Sequence, residues 1–227
     1  MPKKPAEQRA AVRRQAVTEL KRALILDAAG KVFAREGLAG ASIREIAKEA
    51  GYTPGALYFH YASKEEIYAE LLAHSLQRLY DHLHAARDAQ AGAAPRLEAA
   101  ALALFDYYVS NPQELELGFY LFGGMRAAGL TPELDAKLNA QLRAALALVE
   151  DAVVECGATP SAAVRETASL FAQVVGLLVL EQTRRIRLFK LEARPLFVAH
   201  VAHLLSRVGA GARARPARPP RRSGARR

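Results

Sequence analysis

The chain has 227 residues, 51% of them hydrophobic and 24% charged, with 32 Lys and Arg against 23 Asp and Glu. That length and apolarity suffice for a core of its own, in one large or two small domains, and exclude a disordered chain. The longest apolar run, 170–180, is interrupted by Gln173 and falls short of a membrane span, and the single Cys156 has no partner for an internal disulfide. A charged N-terminus with no apolar segment behind it argues against secretion, and Glu7 and Glu19 argue against an organellar presequence. A soluble, cytoplasmic protein with no membrane partner is the expectation.

The charge is concentrated at the ends. Residues 1–22 carry seven basic and two acidic side chains, and 208–227 carry seven Arg and no acid, so the body between them is mildly acidic. A basic arm (1–17) and an Arg-rich tail (208–227) suit a polyanion, because phosphates attract Lys and Arg and binding releases counterions. The Pro/Gly/Arg-rich tail reads equally as a disordered, solubilising segment.

In chain order, apolar residues recur at helical spacing and no stretch alternates with period two, so the expectation is all-α, with about nine helices. The first is expected over 18–36, with Ile25, Ala28, Ala29, Val32 and Phe33 on one face and Gly37 ending it. Ser42-Ile-Arg-Glu45 is a capping box, in which the Ser hydroxyl and the Glu carboxylate each satisfy a backbone N–H, opening a second helix to about Ala50. Gly51 supplies the turn. Thr53-Pro54 pairs a cap with a proline at the first helical position, opening a third helix to about Tyr61. A second capping box, Ser63 to Glu66, starts a long fourth helix to about Ala89.

Five more helices are expected: 94–110, 112–122, 132–156, 161–189 and 194–208. The 161–189 segment stands apart. Val164, Ala168, Phe171, Val175 and Leu178 form one apolar face and Leu170, Val174 and Leu177 another, so the helix needs burial on two sides. One side suits its own domain. A second subunit covers the other most simply, in a four-helix interface that would include Phe197, Val201 and Leu204 of the last helix; a central helix of a monomeric bundle is the alternative.

Two short helices joined by a four-residue turn, behind a longer one, match helix-turn-helix geometry. The residues sharpen it: Ser42-Ile-Arg-Glu-Ile-Ala, then Ala50-Gly-Tyr-Thr-Pro-Gly-Ala-Leu-Tyr-Phe-His-Tyr61, then Ser63-Lys-Glu65. This stretch, within Arg22 to Leu72, resembles the DNA-binding domain of the tetracycline-repressor (TetR) family. The resemblance divides the chain into a DNA-binding domain over 18–65 and an effector-binding and dimerisation domain over 66–207. It implies that Thr53, Gly55, Ala56 and Tyr58 lie at or near base edges, that Ser42, His60 and Lys64 with the aromatic pair Tyr58 and Phe59 meet phosphates, and that Pro54 belongs to the same DNA-binding set.

The residues themselves agree with that reading. Leu57 and Tyr61, four apart, face a small core and leave Gly55, Ala56, Tyr58 and Phe59 outward. The N–H groups at this helix start, beside small residues, suit entry into a major groove about 12 Å wide. Arg44 reads as a bidentate guanine contact, a phosphate contact or a solvated side chain; His60 reads also as a capping or core residue. Tyr61 stands where the family more often has Phe, and Ala56 offers a base no hydrogen bond.

For the second domain, the resemblance implies a small-molecule effector. Phe105, Tyr108, Phe119, Tyr120, Phe122, Met125, Phe171 and Val175 form an aromatic and apolar set, readable as pocket or as plain core, and Arg126 could meet an acidic head group. A largely apolar or amphipathic effector is expected. The implied function is a ligand-responsive regulator, a repressor in the commoner family behaviour and a corepressor-dependent one otherwise, binding a palindromic double-stranded DNA operator as a homodimer.

No enzyme is expected, and no cofactor or metal. The chain has no nucleophile elbow, phosphate-binding Gly loop, HExxH or paired CxxC. His82 with His84, and His200 with His203, have no carboxylates at ligand spacing. The rival reading is a nonspecific architectural DNA binder working through the arm and tail, which leaves the second domain unexplained.

Overall fold

The computed structural model describes residues 5–118 and 130–213 and is all-α, with no strand among the described residues. The helices are α1 (Pro5–Gly40), α2 (Ile43–Ala50), α3 (Pro54–Tyr58), α4 (Lys64–Asp88), α5 (Ala93–Ser110), α6 (Pro112–Gly118), α7 (Pro132–Glu155), α8 (Pro160–Gln182) and α9 (Ala193–Arg213), with a 3-10 turn at Arg185–Phe189. Among the described residues the expected helix positions hold, but several ends move, and 119–122 of the expected 112–122 helix lie outside those residues.

The helix α1 starts at Pro5, well before residue 18, so most of the expected basic arm is helical. Pro5 suits a first helical position, and Ala, Gln, Glu and Arg behind it are strong helix formers. The helix breaks at Gly37, where φ is 67°. The helix α3 stops at Tyr58, and α8 stops at Gln182, because the Thr183 hydroxyl donates to the Val179 carbonyl at 2.7 Å and Arg184 turns to φ 57°.

The chain forms two compact units: residues 1–79 with 110–143, and residues 80–109 with 144–227. This division departs from the expected boundary after residue 65. It falls within α4 and α7, and it puts α6 in the same unit as the helix-turn-helix.

In the first unit, Ile25, Ala28, Ala29, Val32 and Phe33 of α1 are buried with Ile43, Ile46 and Ala47 of α2, Leu57 of α3, and Ile67 and Tyr68 of α4. Phe33 meets Tyr68 edge to face at 5.1 Å. The Tyr68 hydroxyl donates to the Leu117 carbonyl, and Glu114 accepts from Ser75 and Arg78, tying α6 to α4.

In the second unit, Leu97, Ala101, Leu104 and Phe105 of α5 are buried, as are Val149 and Val153 of α7, Leu170, Val174 and Leu177 of α8, and Phe197, Val201 and Leu204 of α9. Phe105 stacks on Phe197 at 4.7 Å. Ion pairs brace the rim: Arg194 grips Asp106, Arg207 meets Glu166, and Arg87 and Arg96 share Glu155. Over an 18-residue window α8 reaches a mean hydropathy of 1.5, enough by length and composition for a membrane span, although its longest unbroken apolar run is short. Core helices of water-soluble proteins share that property, and here the row from Ala163 to Leu178 is buried within the unit.

Candidate nucleic-acid interface

The interface begins with local chemistry that fixes two helix starts. Ser42 has extended backbone, and its hydroxyl accepts from the Glu45 N–H at 3.2 Å while donating to the Glu45 carboxylate at 2.8 Å. The expected reciprocal bond from the Ser42 N–H is thus replaced by one from its hydroxyl. In the second box the Ser63 hydroxyl accepts from the Glu66 N–H, and the Glu66 carboxylate reaches the N–H of Ala62, one residue before the cap.

Between α2 and α3, Gly51 sits at φ 72° and its N–H returns to the Lys48 carbonyl at 3.2 Å. Only glycine adopts that left-handed conformation without strain, so Gly51 sets the angle between the helices. Thr53 then caps α3, accepting from the Ala56 N–H at 3.3 Å, with Pro54 as the first helical residue. Leu57 and Tyr61 are buried, while Tyr58 and Phe59 are 59% and 87% exposed. A side chain added at Gly55 would meet nothing within 4 Å. Arg44 projects from the first turn of α2, exposed and without an ion pair among the described residues. Thr53, Pro54, Gly55, Tyr58, Phe59 and Arg44 are therefore all exposed on α2, α3 and the turn between them.

Three expected contacts are placed differently. Lys64 is half-buried and donates to the carbonyls of Ala39 at 3.1 Å and Ala41 at 2.9 Å, so two of its three donors close the α1–α2 connection. His60 is half-buried with its ring edge-on to Phe59 at 5.4 Å. Ala56 is also half-buried.

Behind this surface lies a feature with no local sequence signal. Arg22 of α1 pairs with Glu70 of α4, and its guanidinium lies 5.0 Å from the centre of the Tyr61 ring. Burial, helped by Glu70, pushes the Tyr61 phenol up to about 12. This cluster clamps the end of the α3 segment between α1 and α4. The partners are 48 residues apart, so only the folded chain reveals them.

Four of the nine expected effector residues lie among the described residues. Phe119, Tyr120, Phe122, Met125 and Arg126 lie outside them. Phe105 is core, Tyr108 is buried edge-on to Tyr107, and Phe171 and Val175 are half-buried on α8. A cavity of about 830 Å³ lies elsewhere, in the first unit, lined by Leu26, Gly30, Leu71 and Leu117 with Arg22, Glu70 and His74.

The residues expected on the subunit face divide by exposure. Val164 is 47% exposed, Ala168 is exposed, and Phe171 and Val175 are half-buried. Leu178, Phe197, Val201 and Leu204, by contrast, are buried within the protomer and contribute no free surface. An apolar stripe on α9 dictates burial but not the partner, and here that partner is the unit's own core.

No cluster of three or more metal-ligating side chains occurs among the described residues. Burial, and then Glu155, raise the Cys156 thiol, which leaves it less thiolate than an ordinary cysteine.

Residues 25–71 match the model for bacterial regulatory proteins of the tetR family. The repressor KstR2 of Mycobacterium tuberculosis is 37% identical over 86 residues, which are 38% of this chain and 43% of that one. The regulator TtgR of Pseudomonas putida is 39% identical over 69 residues, 30% of this chain and 32% of that one. The chain thus spans less than half the length of these relatives.

Folds agree over most of the chain. A tetR-family regulatory protein from Rhodococcus RHA1 superposes with a TM-score of 0.64 at 21% identity, covering 83% of this chain and 97% of that one. FadR of Bacillus subtilis, solved in complex with stearoyl-CoA, does so with a TM-score of 0.63 at 20% identity, covering 81% and 97%. With its capped helix-turn-helix, the segment 25–71 carries the N-terminal signature of the tetR family of bacterial regulatory proteins, and the rest of the chain shares the fold of such regulators.

Proposed function

We propose that this chain is a ligand-responsive transcriptional repressor, a homodimer that grips a palindromic DNA operator through α2 and α3 and releases it on binding a small, largely apolar or amphipathic effector. One observation carries the DNA reading. At the start of α3 a capped helix end and Gly55 face empty space, flanked by exposed Tyr58, Phe59 and an unpaired Arg44.

In this reading Thr53, Gly55, Ala56 and Tyr58 lie at base edges, where Ala56 offers at most contact with a thymine methyl. Arg44 supplies the guanine contact, and Ser42, His60 and the third donor of Lys64 meet phosphates. Pro54 and Phe59 wall the groove. The α8 surface of Val164, Ala168, Phe171 and Val175 is the subunit contact. Phe105, Tyr108, Phe171 and Val175 contribute to the effector site, and the stearoyl-CoA held by FadR makes an amphipathic ligand a reasonable class.

Each unit continues into the other along α4 and α7, so an effector that prefers one arrangement of these helices shifts the population able to span two half-sites about 34–36 Å apart.

Selection of bound duplexes from a random pool at physiological salt tests this. A palindromic motif is expected, and Arg44→Ala should weaken binding to it by about 1–3 kcal/mol while leaving random DNA unaffected. Enrichment of no motif would favour the nonspecific architectural binder.

A further inference from the structure

The turn between α8 and α9 is absorbed by neither the DNA reading nor the effector reading. From Thr183 to Leu191 the sequence is TRRIRLFKL, with four cations and no acid. Ile186 is buried and anchors the turn. Leu188 is 80% exposed, Phe189 64% and Leu191 49%, and Arg184, Arg185, Arg187 and Lys190 are exposed around them.

Conformation and pairing both single this turn out. Arg184 and Lys190 hold φ at 57° and 56°, a left-handed conformation that non-glycine residues rarely adopt, at the two ends of the 3-10 turn. Arg194 and Arg207 of the same unit are engaged by carboxylates, yet none of the four turn cations has an ion pair among the described residues. Beside the turn lies a cleft of about 520 Å³ walled by Val109, Ile186 and Leu191 and edged by Arg187 and Lys190, with Glu181 and Glu192 also on its lining, so the cations of the turn rather than the cleft carry the attraction for anions.

An occupant must offer negative charge and an apolar medium at the same place. The DNA backbone offers only the charge. A second copy apposing this same turn would bring eight cations together. A protein partner would need an acidic concavity matched to a protruding apex.

We propose that the 184–191 turn is a peripheral docking surface for an anionic lipid bilayer, in which Leu188 and Phe189 enter between headgroups while Arg184, Arg185, Arg187 and Lys190 meet the lipid phosphates. Apolar side chains at the headgroup boundary backed by Lys and Arg are the chemistry of interfacial binding. Such a contact needs no spanning helix. The inference is independent of the repressor reading.

The chain contains no Trp, so Phe189→Trp in the full chain gives a single reporter at an exposed position that leaves the fold undisturbed. With phosphatidylglycerol vesicles the indole emission should shift to the blue, and with phosphatidylcholine vesicles it should not. Replacing both apex residues, Leu188→Ser with Phe189→Ser, keeps every charge and should lower co-sedimentation with phosphatidylglycerol at least tenfold.

Undiminished sedimentation of that variant, or unchanged emission from vesicle-bound protein, would assign binding to the basic arm and tail and overturn the proposal. Emission that shifts with protein concentration in the absence of lipid would identify a second copy as the occupant. A shift on adding duplex DNA alone would identify DNA. Either result replaces the lipid assignment.

Discussion

At the scale of single residues, Gly55 separates folding from recognition. It lies in the first turn of α3 with no atom beyond its chain neighbours and its own helix backbone within 4 Å of where a side chain would begin. Alanine has the higher helix propensity, by about 1 kcal/mol. Gly55→Ala should therefore leave the melting temperature unchanged or raise it slightly, while operator affinity falls tenfold or more because the new methyl stands between backbone and base edges. Melting and anisotropy titration on the same protein check this, and full affinity would remove α3 from the groove. Tyr61 makes the opposite case, a residue that supports the interface from inside. Its phenol is pushed up to about 12 by burial, against about 10 for a free tyrosine. Folding thus favours the neutral form, and the stabilisation is complete below pH 10 and is lost as pH rises through about 12. Tyr61→Phe should match the parent near pH 7 and outlast it by about 1–2 kcal/mol near pH 12, as seen in denaturant melts across that range. Equal alkaline losses in the two proteins would show that this phenol titrates alike in the folded and unfolded states, so that burial does not raise it.

Among the helices, the short N-terminal ones were the most legible in the sequence because their signals are local. Ser42 with Glu45, Gly51, Thr53 with Pro54, and Ser63 with Glu66 each act within four residues, and each marks a helix start or turn in the structure. What the sequence left open depends on distant partners. The helicity of residues 5–17 is an exception, a local consequence of propensity that their charge does not announce. The stripe on α9 announced burial without saying against what, and Phe197 proved to stack on Phe105 rather than face outward. The Arg22–Glu70 clamp has no spacing signature at all. The α8 helix shows how the ambiguity resolves: its two apolar faces were both visible, and burial of one leaves Val164, Ala168, Phe171 and Val175 as the candidate subunit contact. Val175→Glu should then give a monomer with unchanged helical content, because that position is only half-buried in the protomer. Sedimentation and circular dichroism read the two properties separately. A stable dimer carrying Glu at 175 would remove α8 from the interface, whereas lost helicity would make Val175 a core residue.

Across the whole molecule, the distribution of charge sets how affinity divides between attraction and readout. The net charge is +9, and the two ends carry more than all of it over a mildly acidic body. Seven Arg in 208–227 can neutralise phosphates wherever DNA runs close, each contact contributing about 0.9 to the slope of log K against log salt, yet they carry no sequence information. The groups proposed to face the bases, Arg44, Thr53, Gly55 and Tyr58, lie far from the tail in sequence, on elements whose conformation is fixed by Gly51 and the two caps. Removing residues 208–227 should therefore weaken binding to the selected operator and to random duplexes by the same factor and flatten both salt slopes equally. The ratio of the two affinities should not change. Titrations at several salt concentrations on both DNAs measure slope and ratio together. A collapsed ratio would mean that the tail reads DNA, through minor-groove width or deformability, and that α3 positions rather than specifies. An unchanged slope would show that the tail touches no phosphate, leaving its seven arginines to solubility alone.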